Sequence, residues 1–193
     1  MQLTPHLLLN AYYQGVFPMA HDDGNIYWYD PDPRTIIPFD TFHVPRRLAR
    51  TIRQGDFEVR FDYDFRAVMV ACAQPAPGRE KTWINDDIID SYTQLHRLGF
   101  AHSVETWIDG KLAGGLYGVS LQGLFAGESM FSLAPDTSKI ALVYLVEHLR
   151  RLGFVLLDTQ FMTPHLKRFG AVEIPRGEYK RRLAKALQVQ ARF

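Results

Sequence analysis

Two short connections, Asp109-Gly110 and Gln122-Gly123, constrain this fold more than any other feature of the sequence, because each separates two stretches with strand character. The stretches are Ser103 to Ile108, Lys111 to Val119 and Leu124 to Ser129. Two residues are enough for an antiparallel return, and Asp-Gly suits the positive backbone φ of the tightest hairpins, whereas a parallel pairing needs a crossover of about a dozen residues. The three stretches therefore read as an antiparallel meander.

Helix signals flank this meander. Thr4-Pro5 is an N-cap followed by proline at the first helical position, and Gly15 ends that helix about three turns on. Residues 16–40 are rich in proline and aromatics and suit short extended pieces joined by turns. Residues 1–55 read as a small N-terminal unit and residues 56–193 as a second, larger domain. In the latter, Phe57 to Phe61 alternates like a strand, Phe65 to Ala73 reads as a helix, and Gln74 to Lys81 as a Pro/Gly loop. Asn85 or Asp86 caps a helix running to Leu98, and Gly99 ends it. Ser138 to Leu152 places apolar residues at helical spacing and stops at Gly153; a short buried strand starting at Val155 follows, then a helix from about Gly177 to Gln190. This order indicates a mixed α+β domain around a central, mostly antiparallel sheet.

The 22 basic and 21 acidic residues nearly cancel, so local clustering matters more than net charge. One cluster is Arg46, Arg47, Arg50 and Arg53 on a helix beginning near Pro45; the other runs through Arg176, Lys180, Arg181, Arg182 and Lys185. The single cysteine, Cys72, excludes an intrachain disulfide, no leader pattern opens the chain, and no apolar run approaches the ~20 residues that cross a bilayer. A cytosolic protein with no membrane association is expected.

At Gly127 to Phe131 and Asp158 to Gln160 the chain resembles the leucyl/phenylalanyl-tRNA:protein transferase family. Gly15 to Pro18, Trp28 to Arg34, Thr82 to Ile84, Leu98 to Glu105, Gly114 to Val119 and Gly170 to Arg176 agree in order and spacing. The resemblance implies a small N-terminal domain followed by an N-acetyltransferase-like domain related to the Fem-type transferases. It also implies transfer of Leu or Phe, with Met a further donor, from aminoacyl-tRNA to proteins with N-terminal Arg or Lys, which marks them for N-degron degradation. A monomer without cofactor is expected. Set against the pattern that the resemblance implies, three departures are expected: a shortened N-terminal extension, Met19 in place of a frequent tryptophan, and Leu133 in place of a frequent basic residue.

By the same resemblance Asp158 and Gln160 are the catalytic pair, with Glu128 receiving the ammonium group of the aminoacyl moiety or orienting the acceptor amine. The residue chemistry is compatible. An aminoacyl ester is already activated, and an α-amine with a pKa near ~8 is partly neutral at pH 7, so alignment and oxyanion stabilisation matter more than a strong base. Taken by spacing alone, Asp-x-Gln after a strand serves equally as a turn or cap, and Glu128 in an apolar strand equally as a buried structural hydrogen-bonding group. Leu116, Met130, Leu142, Leu145 and Leu149 match the family's aminoacyl pocket; without the resemblance all five read as core. Trp83 suits stacking on the terminal adenine of tRNA and equally a core position, and the four arginines near Pro45 suit acceptor-stem phosphates.

The seven histidines lack zinc-type spacing and no Gly-x-Ser-x-Gly elbow occurs, so neither a metal nor an acyl-enzyme is expected. An acyl-CoA-dependent N-acetyltransferase would want a glycine-rich pyrophosphate loop where residues 131–139 have none. A non-catalytic RNA-binding module accounts for the basic helices but not for Glu128, Asp158 and Gln160 beside a pocket. Acidic N-terminal acceptors with the same donor form a third alternative.

Overall fold

The computed structural model describes residues 3–76 and 81–193, so residues 77–80 of the expected Pro/Gly loop lie outside the described residues. Helix α1 (Pro5–Tyr13) is capped as its sequence dictates: the Thr4 hydroxyl accepts from Leu7 N–H at 3.3 Å, and Gly15 leaves the helix with φ 73°. The aromatic stretch then forms a hairpin, β1 (Phe17–Ala20) with β2 (Ile26–Tyr29), and a short strand β3 (Arg34–Ile36). Next come α2 (Arg46–Gln54), β4 (Glu58–Phe61), α3 (Phe65–Ala73) and α4 (Asp86–Arg97), the last two capped by the carboxylate of Asp64 and the amide oxygen of Asn85.

The meander follows as β5 (Ala101–Ile108), β6 (Lys111–Leu121) and β7 (Leu124–Ser132), with positive φ at Asp109, Gly110 and Gln122. Then come α5 (Thr137–Arg151), β8 (Leu156–Gln160), α6 (Pro164–Lys167), β9 (Val172–Ile174) and α7 (Arg176–Ala186). The expected final helix thus stops four residues short of Gln190. The main sheet runs β4-β5-β6-β7-β8-β3-β9, antiparallel throughout except where β8 lies parallel to β7. Although β3 lies within the first 55 residues, it is hydrogen-bonded between β8 and β9.

Each face of this sheet carries its own core. On one, Tyr12, Met69, Tyr92 and Tyr179 of α1, α3, α4 and α7 cover Tyr117 and Val119. On the other, Leu142, Leu145 and Leu149 of α5 cover Val104, Leu116, Phe125 and Leu157. Gly114 fixes where α5 begins: a Cβ there would lie 2.2 Å from Thr137 Oγ1, which instead donates to the Ala113 carbonyl at 2.9 Å. The first turn of α5 is thereby held against the strand backbone.

Candidate active site

Two irregularities in the central strands open the sheet. In the β6–β7 ladder Tyr117 faces Ser129 and Gly118 faces Gly127, leaving Glu128 as the extra residue of a bulge. A bulge bends its strand and re-aims a side chain. On its other side β7 pairs with β8 only from Leu124–Leu156 as far as Ala126–Asp158. Beyond that point the strands part, and β8 ends at Gln160 with φ 59°. A cavity of about 500 Å³ occupies the gap, walled by Leu116, Met130, Leu142, Leu145, Leu157 and Leu166. Glu128 and Gln160 stand on the same wall, and Glu128 is the only carboxylate among the described lining residues.

A chain of hydrogen bonds holds these two. Gln160 Nε2 donates to Glu128 Oε1 at 3.1 Å, and the Gln160 backbone N–H donates to Asp158 Oδ1 at 2.9 Å. Arg34 grips Asp158 from below, Nε to Oδ1 at 2.9 Å and Nη2 to Oδ2 at 2.6 Å, and the Tyr179 hydroxyl donates to Oδ2 at 2.8 Å. The Asp158 carboxylate thus accepts four hydrogen bonds, about its full capacity, and is 0 % exposed. Arg34 Nη1 also donates to the Gly15 carbonyl at 3.0 Å, while its guanidinium lies between the rings of Phe17 and Tyr179 at 4.8 and 4.3 Å from their centroids.

Burial pushes the Glu128 carboxyl up to about 8; the nearby Asp158 charge adds to this, whereas a hydrogen bond from Tyr12 and the Arg34 charge oppose it. Tyr12 in turn shares a 2.5 Å hydrogen bond with Tyr92. A carboxyl group that titrates near an α-amine's own pKa is matched to taking a proton from it. The cavity therefore joins an apolar chamber to one tunable acid and one amide, an arrangement suited to placing an apolar aminoacyl group beside an amine.

The sequence matches the leucyl/phenylalanyl-tRNA protein transferase family over residues 36–184 and that family's N-terminal domain over residues 1–32. The chain belongs to this family. Leucyl/phenylalanyl-tRNA–protein transferases from Herpetosiphon aurantiacus and Phenylobacterium zucineum are 61% and 58% identical to it, over 100% and 96% of the chain and 98% and 85% of the relatives. A third, from Maricaulis maris, is 57% identical over 96% of the chain and 87% of the relative. Among solved structures, L-PGS from Bacillus licheniformis is similar with TM-score 0.46 and 14% identity, over 84% of this chain and 61% of that one. The transferase is accordingly an aminoacyltransferase that moves an aminoacyl group from tRNA to the N-terminus of a protein.

Within the transferase, Glu128, Gln160, Leu116, Met130, Leu142 and Leu145 meet at one cavity. Asp158 lies beneath the wall rather than on it, and Leu149 is packed behind the lining. Trp83 is elsewhere: with Met19, His21 and Lys81 it lines an open cleft of about 500 Å³, where its carbonyl accepts from Ala20 N–H at 3.1 Å. Met19 thus borders Trp83, and Leu133 is exposed.

Arg46, Arg47, Arg50 and Arg53 all stand exposed on α2, which buries Leu48, and none forms an ion pair among the described residues. The second basic cluster is largely engaged: Arg181 and Arg182 pair with Glu178, Lys180 with Asp30 at 3.0 Å, and Arg176 Nη1 donates to the Asp30 carbonyl. No described helix is long and apolar enough to cross a membrane.

The sequence reading missed Arg34, Tyr12, Tyr92, Tyr179 and His165. Arg34 ends one of the segments that carry the family resemblance, which was the available signal; the tyrosines gave none. Asp62, His96 and His102 also converge, their ligand-type atoms within 4.8 Å of one another. These groups are engaged already: His102 Nδ1 lies 2.7 Å from Asp62 Oδ2, and His96 Nδ1 lies 2.7 Å from the Ala101 carbonyl, an ordinary arrangement for a structural histidine pair.

Proposed function

We propose that the cavity holds the side chain of leucine, phenylalanine or methionine esterified to tRNA, and that Glu128 and Gln160 receive the amine that attacks it. The observation that carries this reading is the single carboxylate, on a bulge, at the edge of an apolar chamber. The neutral acceptor amine attacks the ester carbonyl carbon and forms the C–N bond. The tetrahedral intermediate then collapses as the C–O bond to the tRNA ribose breaks. The amine's proton passes to Glu128, which returns it to the leaving ribose oxygen, so the enzyme ends as it began. Asp158, with its lone pairs filled, acts through Gln160: it fixes that residue's backbone and hence the amide beside Glu128.

Apolar walls offer no hydrogen-bond partner to a polar donor side chain, and flexible Met130 accommodates more than one apolar shape. The unpaired arginines of α2 suit the acceptor stem and Trp83 a stacked terminal base. Acceptors begin with Arg or Lys and are thereby marked for N-degron degradation in the cytosol, the enzyme acting as a monomer. The test is to incubate the protein with charged Leu-tRNA and peptides differing only in residue 1. Leucine transfer to Arg- and Lys-initiated peptides is expected, and transfer confined to Asp- or Glu-initiated ones would refute the acceptor assignment.

A further inference from the structure

The cavity has a second polar side that the mechanism above leaves unused. Nearly every polar side chain lining it already has a partner. The Thr159 hydroxyl donates to the Thr35 carbonyl, Thr163 Oγ1 accepts from Leu166 N–H, and Ser138 Oγ accepts from the Ser132 hydroxyl at 2.7 Å. Lys139 is paired with Asp136, Gln160 with Glu128, and Ser129 and Tyr117 are engaged as well. His165 differs: its Nε2 is buried and has no hydrogen-bond partner among the described residues.

The His165 ring is held in place by its neighbours. Pro164 opens α6, Thr163 caps it, and Phe169 meets the imidazole edge-on with centroids 5.3 Å apart. Burial lowers the His165 pKa, and the charges of Lys139 and Arg168 lower it further against Asp136. A neutral imidazole carries one N–H and one lone pair, and a buried one of these without a partner is costly unless a ligand supplies it.

An aminoacyl ester brings three kinds of group into such a cavity. Its apolar side chain offers no hydrogen bond, and its α-ammonium carries donors only and so cannot accept an imidazole proton. That leaves the ester carbonyl oxygen, which becomes negative when the amine attacks. We propose that His165 is a further catalytic residue, donating its Nε2 proton as a hydrogen bond to that oxygen and strengthening it as the oxyanion forms. This assignment rests on the placement of the aminoacyl group proposed above. No proton is transferred: the imidazole stays neutral, and the donor only polarises the carbonyl.

The test uses the full chain, preformed Leu-tRNA and an Arg-initiated peptide, comparing His165→Phe, His165→Ala and His165→Gln under single-turnover conditions with saturating enzyme. His165→Phe keeps a ring against Phe169 but no N–H; His165→Gln restores an N–H without the ring. The Phe and Ala variants are expected to lose roughly 10- to 100-fold in transfer rate, within the span for removal of one oxyanion donor or somewhat below it. Charged-tRNA affinity and the Leu-to-Phe preference should hold within about 3-fold, and the Gln variant should recover part of the rate. A His165→Phe rate equal to that of the unmodified protein would overturn the proposal, as would losses in all three variants matched by equal losses in tRNA affinity. No transfer by the unmodified protein to any peptide would instead overturn the placement on which this proposal rests, and the proposal with it.

Discussion

Replacing Asp158 by alanine removes the carboxylate that neutralises Arg34 and leaves that guanidinium in a site where its side chain is 1% exposed. All four hydrogen bonds lost are buried and accepted by the same carboxylate: the two from Arg34, that from Tyr179 and that from the Gln160 backbone N–H. Removing one member of a buried ion pair costs about 3–5 kcal/mol, mostly as the desolvation of the charge left behind. For a chain of this length each kcal/mol moves the unfolding midpoint by about 2–4 °C, so a fall of roughly 6–20 °C is expected. Arg34→Met with Asp158→Leu removes both charges and should restore much of that loss, giving a coupling of about 2 kcal/mol or more. Urea unfolding followed by circular dichroism at pH 7 measures Asp158→Ala, the double variant and the two single variants that compose it. An Asp158→Ala loss below about 1 kcal/mol, or simple additivity of the two sites, would show that the pair is not the anchor described above. It also follows that Asp158→Ala confounds catalysis with stability, whereas Gln160→Ala should lower transfer by about 10²-fold with a nearly unchanged midpoint.

Because the folded-state pKa of Glu128 is raised to about 8, the fold binds its proton more tightly than the unfolded chain does. Its stabilising contribution is therefore full below the ordinary carboxyl value and is lost as pH rises through about 8, while transfer increases over the upper part of the same range; Glu128→Gln should flatten both profiles, and unchanged profiles would remove Glu128 from the mechanism. Leu145→Phe narrows the cavity and should reduce phenylalanine transfer more than leucine transfer, whereas Leu149→Phe, behind the lining, should overpack the core by about 1–3 kcal/mol and affect both donors equally. Donor-specific single-turnover rates separate the two. Removing Arg46 and Arg50 together should make the slope of log affinity for tRNA against log salt shallower by about 1–2 units without altering donor choice, and an unchanged slope would place the RNA elsewhere.

What was legible in the sequence was local. Asp109-Gly110 and Gln122-Gly123 dictate tight returns whatever surrounds them, and Thr4 and Asn85 cap the helices beside them within one turn. The same Thr-Pro signal occurs at Thr163-Pro164 and would have located α6. The bulge at Glu128 was not legible, because Leu124-Phe125-Ala126 and Met130-Phe131 are apolar at consecutive positions and no alternation runs through the strand in which a one-residue slip could show. Nor was the grip of Arg34 on Asp158, whose partners lie 124 positions apart and meet only because β3 enters the sheet between β8 and β9. Leu149 shares a helical face with Leu142 and Leu145, and periodicity cannot tell which turns of that face border a void.

The position of β3 also bears on how the chain matures during synthesis. Its strand leaves the ribosome early, yet both neighbours that complete its hydrogen bonding, Leu156–Gln160 and Val172–Ile174, are made more than a hundred residues later. At about 5–20 residues per second that interval is on the order of 10 s. Throughout it the Arg34 charge and an unpaired strand edge stand open to solvent and to other chains, so the last fifth of the polypeptide completes the sheet around the cavity and ends the period in which the nascent protein is most prone to associate wrongly.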